Sequence, residues 1–282
     1  MTDRIVLITG ATGRQGGETA RALVGKGFKL RAMTRKPESE TAKALSALGI
    51  EVVRGDLDDD ASLKSALKGT WGAYAVQNTW EAGVEKEEVQ GKRFAQLARD
   101  AGVHHFVYAS VASAHLGTGI PHFENKSRVE QTVKALGFPS YAIIRPVFFM
   151  ENLTTPWFLN GANLVSTLSP TTRLQMIATP DIGQYGAMAF LDQARFHNLE
   201  IDIAGDEVTL PQAADTLGRA LGTPLTYLQI PIEEVRKNSN DFALMLEWFE
   251  RGGYSADIAG NASRYGITPT TLDSWAQTLR KQ

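Results

Sequence analysis

The chain has 282 residues, 43% of them hydrophobic and 21% charged, which is ample for one large domain or two unequal ones. A formal net charge of −2 and a pI near 6.2 argue against a general nucleic-acid or anionic-membrane surface. With no cysteine, disulfides, thiolate metal sites and thiol redox sensing are excluded together, so a redox response has to pass through a bound ligand.

The first segment, MTDRIVLITG, carries an apolar run too short for a signal peptide, and no run approaches the ~20 residues that span a bilayer. A soluble cytoplasmic protein is the expectation. IVLIT (5–9) reads as a buried strand, followed by a glycine turn and a helix through ETARALVGKG that stops near Gly25 or Gly27. KLRAMT (29–34) is the second strand, and a helix over TAKALSAL is stopped by Gly49. EVVRGD (51–56) is the third strand, and ASLKSALKG a short helix closed by Gly69. WGAYAVQ (71–77) and FVYAS (106–110) follow as strands, with a long polar helix between them ending at Gly102. A helix from about His122 to Leu136 then leads to YAIIRP (141–146), the sixth strand. Near-continuously apolar strands, each joined to the next by a helix, predict a Rossmann-type doubly wound parallel sheet.

After Pro146 the rhythm changes. FFMENLTTPWFLNGANL is apolar, aromatic and interrupted by Pro156 and Gly161. A helix is predicted over 179–194, capped by Thr179 with Pro180 at its first position. LEIDIAG (199–205) and LTYLQI are strand-like, LPQAADTLGRALG is helical, and TLDSWAQTLRKQ ends a helical last third. The expected organisation is a dinucleotide-binding domain over 1–150 and a smaller mixed α/β lobe over 151–282, with a soft boundary and a ligand cleft between them.

TGATGRQGG sets Gly10, Gly13 and Gly16 three residues apart, between a predicted strand and a predicted helix. Glycine permits the tight turn and the close approach of a pyrophosphate, and the helix N-terminus offers free N–H donors. An ordinary turn with a close helix–strand contact is the plainer explanation, but strand and helix flank the turn on both sides. Where an NAD site usually has an acidic residue after the second strand, this chain reads MTRKP. Arg35 and Lys36, with Arg14 in the glycine loop, favour the 2′-phosphate of NADP(H) over a merely solvated basic turn. Asp56 in GDLDD suits the exocyclic amine of an adenine, with Leu57 packing nearby. Asp58, Asp59 and Asp60 read as helix cap and surface charge, and no metal site is expected.

These residues resemble the NmrA-like branch of the atypical short-chain dehydrogenases. GATGRQGG is similar to that family's glycine loop, and VVRGDLDD, QNTWE (77–81), YAS (108–110), HFENK (122–126) and RPVFFMENL (145–153) follow in the family's order. HFENK and QGKRFAQLARDAGV (90–103) are similar to the NADP-binding redox-sensor subgroup, and other members are NADPH-dependent reductases of quinones, dyes or phenylpropanoids. The resemblance implies that Gly10, Thr12, Gly13, Arg14 and Gln15 hold the pyrophosphate. It places Asn78 on the ribose–nicotinamide side, with Ala109 and Ser110 at the same strand ends. It makes Lys126 a ribose clamp and puts Pro146, Phe149 and Asn152 beside the nicotinamide.

In the enzymatic short-chain dehydrogenases a tyrosine four residues before the lysine donates the proton. Here that place is His122, one helical turn from Lys126, and the pair is the candidate catalytic set. Imidazole suits acid–base work at neutral pH, yet a histidine at a helix start is more often a cap or surface residue, and that plainer reading is favoured. His115 is a second candidate, and Ser110 could polarise a carbonyl. His104 and His105 lie at the wrong end of the sheet for chemistry. Two functions stay open, with the first slightly favoured by the missing tyrosine and the subgroup resemblance. One is an NADP(H) sensor whose loops around 78–90 rearrange toward a protein partner. The other is an NADPH-dependent reductase with an aromatic wall (Trp80, Phe148, Phe149, Trp157, Phe158) for a small planar acceptor; packing between lobes explains that wall equally well. Direct nucleic-acid or membrane binding is not expected, and a homodimer is left open.

Overall fold

The computed structural model describes residues 4–281. From the N-terminus the strands and helices alternate: β1 (Ile5–Ile8), α1 (Arg14–Leu23), β2 (Lys29–Thr34), α2 (Glu40–Ala47), β3 (Glu51–Arg54), α3 (Asp60–Leu67) and β4 (Thr70–Ala75). A short α4 (Thr79–Ala82) precedes the long α5 (Val84–Asp100), then come β5 (His105–Ala109), α6 (Pro121–Ala135) and β6 (Ser140–Pro146). The second half adds β7 (Phe148–Phe149), β8 (Leu159–Asn160), β9 (Asn163–Ser166), β10 (Arg173–Ile177), α7 (Thr179–Leu191), β11 (Leu199–Ile203) and β12 (Asp206–Thr209). It closes with α8 (Leu210–Leu221), β13 (Thr226–Gln229), α9 (Ile232–Arg236), α10 (Asn240–Glu250), α11 (Ile258–Tyr265) and α12 (Leu272–Thr278).

The main sheet has seven strands in the order β11-β6-β5-β4-β1-β2-β3, all parallel. Its central strands β1, β4, β5 and β6 are buried on both faces, as the Rossmann-type expectation requires. The strand order reverses between β1 and β4, and a crevice opens at such a point beyond the C-terminal strand ends. Two three-stranded sheets, β12-β10-β7 and β13-β9-β8, flank it.

The chain returns to the first half after leaving it. β11 pairs with β6 from Leu199↔Ala142 to Ile203↔Pro146. α7 lies against α1 so closely that a Cβ on Gly183 would sit 2.6 Å from the Glu18 carbonyl carbon, and one on Gly186 would sit 2.5 Å from Thr19 Oγ1. One apolar core accordingly runs from Val6 to Ala276. α7 begins at Thr179 as expected, but its cap is Ala178; Thr179 instead gives its N–H and its hydroxyl to Glu151 Oε1, each at 2.9 Å. The segment 78–90, expected as loop, is mostly helical, with Gly83 at φ 86° between α4 and α5.

Candidate functional site

The strand β1 passes into the glycine turn through Thr9, which ties it to β4: Thr9 N–H donates to Tyr74 O at 3.0 Å, and Val76 N–H donates to Thr9 Oγ1 at 2.8 Å. Gly10 is left-handed at φ 58°, and Gly13 N–H closes the turn onto Gly10 O at 2.9 Å. A Cβ on Gly16 would fall 2.5 Å from Thr9 O and 2.6 Å from Gly10 O, so only glycine lets α1 start this close to the turn. Gly13 caps α1 without a side chain, and the first turn carries no acid. Its leading N–H groups and the positive end of its dipole therefore face the crevice beside exposed Gly10, Gly13 and Arg14 and half-buried Thr12 and Gln15. The residues fit a dinucleotide pyrophosphate on this evidence. Behind the turn Gln15 Oε1 is buried without a partner among the described residues, as are both amide atoms of Gln77 just past β4.

Around that turn the expected cofactor residues divide. Arg35 and Lys36 are exposed just past β2, with Arg35 ion-paired to Glu81 of α4, which holds the guanidinium pKa above its ordinary value. Arg14 does not join them: its Nη1 donates to Asn152 Oδ1 at 3.1 Å, linking the glycine turn to the segment after β6. Three cations were expected together; the two arginines have different partners. Asp56 accepts from Asp58 N–H at 3.0 Å, and Leu57 O accepts from Arg93 at 2.8 Å, both residues half-buried. Asp59 caps α3, as its sequence position suggested. Asn78 caps α4, exposed at the end of β4. Ala109 and Pro146 are buried at their strand ends, with Phe149 and Asn152 half-buried beyond.

Ser110 is turned inward. Its hydroxyl donates to Glu130 at 2.5 Å, and Glu130 in turn takes a two-point grip from Arg145, at 2.8 and 2.6 Å. Arg145 also reaches Glu200 at 2.6 Å and Asp202 at 3.6 Å. Burial opposes the Arg145 charge, but the surrounding carboxylates outweigh it and raise the pKa further. The network fastens α6 to β5, β6 and β11, with the Ser110 hydroxyl as one of its donors.

Lys126 is not a solvent-facing helix lysine. Its side chain is 12% exposed and its Nζ sits 2.5 Å from Glu87 Oε1 on α5, a carboxylate 1% exposed. Glu87 also accepts from Asn125 Nδ2 at 2.8 Å and from the Thr79 hydroxyl. Burial alone would raise the Glu87 pKa; Lys126 and these donors hold it below the usual carboxylate range. His122 departs from the surface reading in the same way. Its side chain is 8% exposed, its Nδ1 lies 2.7 Å from Asp241 Oδ2 on α10, and its backbone N–H donates to Asp241 Oδ1 at 3.2 Å. Nε2 has no hydrogen-bond partner among the described residues and keeps contact with solvent. Exposed Trp80 stands over the imidazole with ring centroids 5.3 Å apart.

The aromatic wall splits in two. Phe148 and Phe158 are buried core, stacked edge-on at 5.1 Å. Trp80 and Trp157 are each 61% exposed, and Phe242 of α10 lies between them at 6.1 and 5.6 Å. His115 is exposed on the loop after β5, whereas His105 is buried at the foot of that strand, bonded to Ser140. No group of three or more His, Asp or Glu side chains is placed to hold a metal among the described residues. No described helix is long and apolar enough to cross a membrane.

The pattern of the NmrA-like family matches residues 2–276. The chain belongs to the NmrA-like family. Among relatives, it is 29% identical to a (4-alkanoyl-5-oxo-2,5-dihydrofuran-3-yl)methyl phosphate reductase of Streptomyces griseus, over 98% of this chain and 94% of that protein. It is 35% identical to the NmrA-like oxidoreductase FrzB of a Cladobotryum species, a match that spans 52% of this chain and 47% of that protein. Among solved structures, NmrA, a negative transcriptional regulator in complex with NADP, aligns with TM-score 0.80 at 19% identity over 100% of this chain and 96% of that one. An NADPH-dependent quinone oxidoreductase from Escherichia coli aligns with TM-score 0.78 at 24% identity, covering 98% and 99%. At these identities the structural likeness establishes the NmrA-like fold and nothing finer.

Two residues that contact the candidate pair, Glu87 and Asp241, are not singled out by the sequence. Glu87 sits in the acidic run EKEEVQ, but it shares a helical stripe with the buried Gly91, Phe94 and Ala98, and that register was the available signal. Asp241 is 119 residues from His122 and carried no signal at all.

Proposed function

We propose that this NmrA-like protein binds NADP(H) across the C-terminal ends of the main sheet and reduces a flat conjugated acceptor, a quinone, a dye or a conjugated carbonyl. The observation that carries the reading is the placement of His122, an oriented imidazole one helical turn from Lys126 and beneath an exposed tryptophan. The sequence favoured a sensor because the tyrosine was missing; a polar group able to move a proton stands in its place. Bound, the reduced nicotinamide supplies the hydride.

This chain's residues supply the remainder. The glycine turn and the first turn of α1 receive the pyrophosphate, and Arg35 with Lys36 receives the 2′-phosphate. Lys126, half-buried and already charged against Glu87, grips a ribose hydroxyl. Trp80, Phe242 and Trp157 give a planar acceptor a face to stack on and exclude water from it. The names of the relatives, a reductase and oxidoreductases, support the same direction.

The regulatory reading keeps one observation, the Arg35–Glu81 ion pair, for which a 2′-phosphate would compete. Both side chains are more than half exposed, at 57% and 53%, and such a pair contributes about 0–1 kcal/mol. Releasing it accounts for about fivefold at most in a two-state balance, and a larger shift would have to come from other contacts of the cofactor.

The test follows NADPH and NADH absorbance with a panel of quinones, dyes and conjugated carbonyls. Wild type is expected to oxidise NADPH in an acceptor-dependent way, and Arg35→Ala to weaken NADPH about tenfold while leaving NADH unchanged. Tight NADPH binding with no oxidation above background across the panel would contradict the reading.

A further inference from the structure

We propose that Asp241, on the C-terminal half of the chain, is a positioning residue that sets the tautomer of His122 and so makes its Nε2 the proton-delivering atom of the site. The inference rests on the reductase reading above. Asp241 holds His122 at two points, the backbone N–H through Oδ1 at 3.2 Å and ring Nδ1 through Oδ2 at 2.7 Å. A carboxylate only accepts, so the proton on the neutral ring stays on Nδ1. Nε2 is left without a protein partner and in contact with solvent, under Trp80 and one turn from Lys126. A carboxylate that fixes one ring nitrogen so that the other can exchange a proton is a recurrent device of acid–base sites.

In the protonated ring both nitrogens carry hydrogen, Nδ1–H toward Asp241 and Nε2–H toward the acceptor. With a reduced nicotinamide bound, which would supply the hydride to the carbonyl carbon, Nε2–H would give its proton to the carbonyl oxygen, leaving the alcohol or the enol and a neutral ring. The neutral imidazole then regains its proton from water through the same Nε2. Asp241 also lies in the first turn of α10, where a carboxylate is favourable to the helix dipole, so a purely structural role has to be separated from a positioning one.

Ring 15N–1H correlation spectra of His122 separate them without any cofactor. Wild type at neutral pH is expected to show the Nδ1–H tautomer. In Asp241→Asn, with the amide oxygen kept by the His122 backbone N–H, the amide donates to Nδ1 and the ring proton moves to Nε2. Turnover with a conjugated carbonyl is then expected to fall about 10²-fold in kcat, with acceptor KM and NADPH binding within about threefold. Added to His122→Gln, Asp241→Asn is expected to change kcat no further. An Nε2–H tautomer in wild type, or an Asp241→Asn defect that persists in the His122→Gln background, overturns the positioning role. If Asp241→Asn fails to fold, Asp241→Ser, which keeps a small acceptor at the helix start, is read by the same spectra. A wild type that binds NADPH and reduces nothing sinks proton delivery and the reductase reading together. An active wild type with the wrong tautomer sinks the positioning alone.

Discussion

Glu87 and Lys126 show how much one buried charge pair decides. A carboxylate 1% exposed is stable only because an ammonium 2.5 Å away and two hydrogen-bond donors replace its water. Glu87→Gln keeps the shape but leaves Lys126 without a counter-charge, and is expected to cost about 3–5 kcal/mol in denaturant unfolding at neutral pH. The folded pKa of Glu87 is lowered, so its contribution is fully present above the ordinary carboxylate value of 4.5 and is lost as pH falls through the folded one. The stability gap between wild type and Glu87→Gln should therefore narrow on acidification; a gap constant down to strongly acidic pH would contradict the pairing. At this scale the sequence was only half legible. Lys126 stood out by its place in HFENK, but the groups that set its environment lie on other elements and could not be paired with it from spacing. His122 was read toward the surface for the same reason, since Asp241 and Trp80 bury it from distant parts of the chain.

Elements were the most legible level in the first half. Each predicted strand is present, because an apolar run of β-branched residues between glycines has few other stable solutions in an α/β sheet. Gly25, Gly49, Gly69 and Gly102 all adopt positive φ where helices were expected to stop. Beyond Pro146 the signal fails for a physical reason. β7 and β8 are two residues each, and β10 is held by β7 and β12, so these strands exist only through tertiary partners. The foot of β5 gives a prediction at this scale. Burial, with His104 and His197 nearby, pushes the His105 imidazole down to about 4 from an ordinary 6.5. A neutral buried histidine stabilises the fold fully above its unfolded pKa, and that contribution is lost as pH falls from there through the folded value. Wild type should lose on the order of 3 kcal/mol between about pH 6.5 and 4 from this residue, and His105→Gln should flatten that part of the curve. An unchanged slope in the variant would contradict the burial of an uncharged ring.

At the scale of the whole molecule, the proposed site draws on both halves of the chain. The first half supplies the glycine turn, Arg35, Lys126 and His122; the second supplies Asn152, Trp157, Phe242 and Asp241. β11 pairs with β6 and α7 packs on α1, so the two halves share one core. The absence of a linker signal made a soft, interwoven boundary legible, but not which elements cross, because β11 and α7 look locally like parts of the second half. The central claim is hydride transfer from a bound dinucleotide at this shared cleft. The most direct measurement offers NADPH deuterated on either face of C4 with a conjugated carbonyl acceptor and locates the deuterium by mass spectrometry. Deuterium is expected on the product carbon from one face only, whereas stoichiometric binding with all deuterium retained on the dinucleotide would contradict hydride transfer.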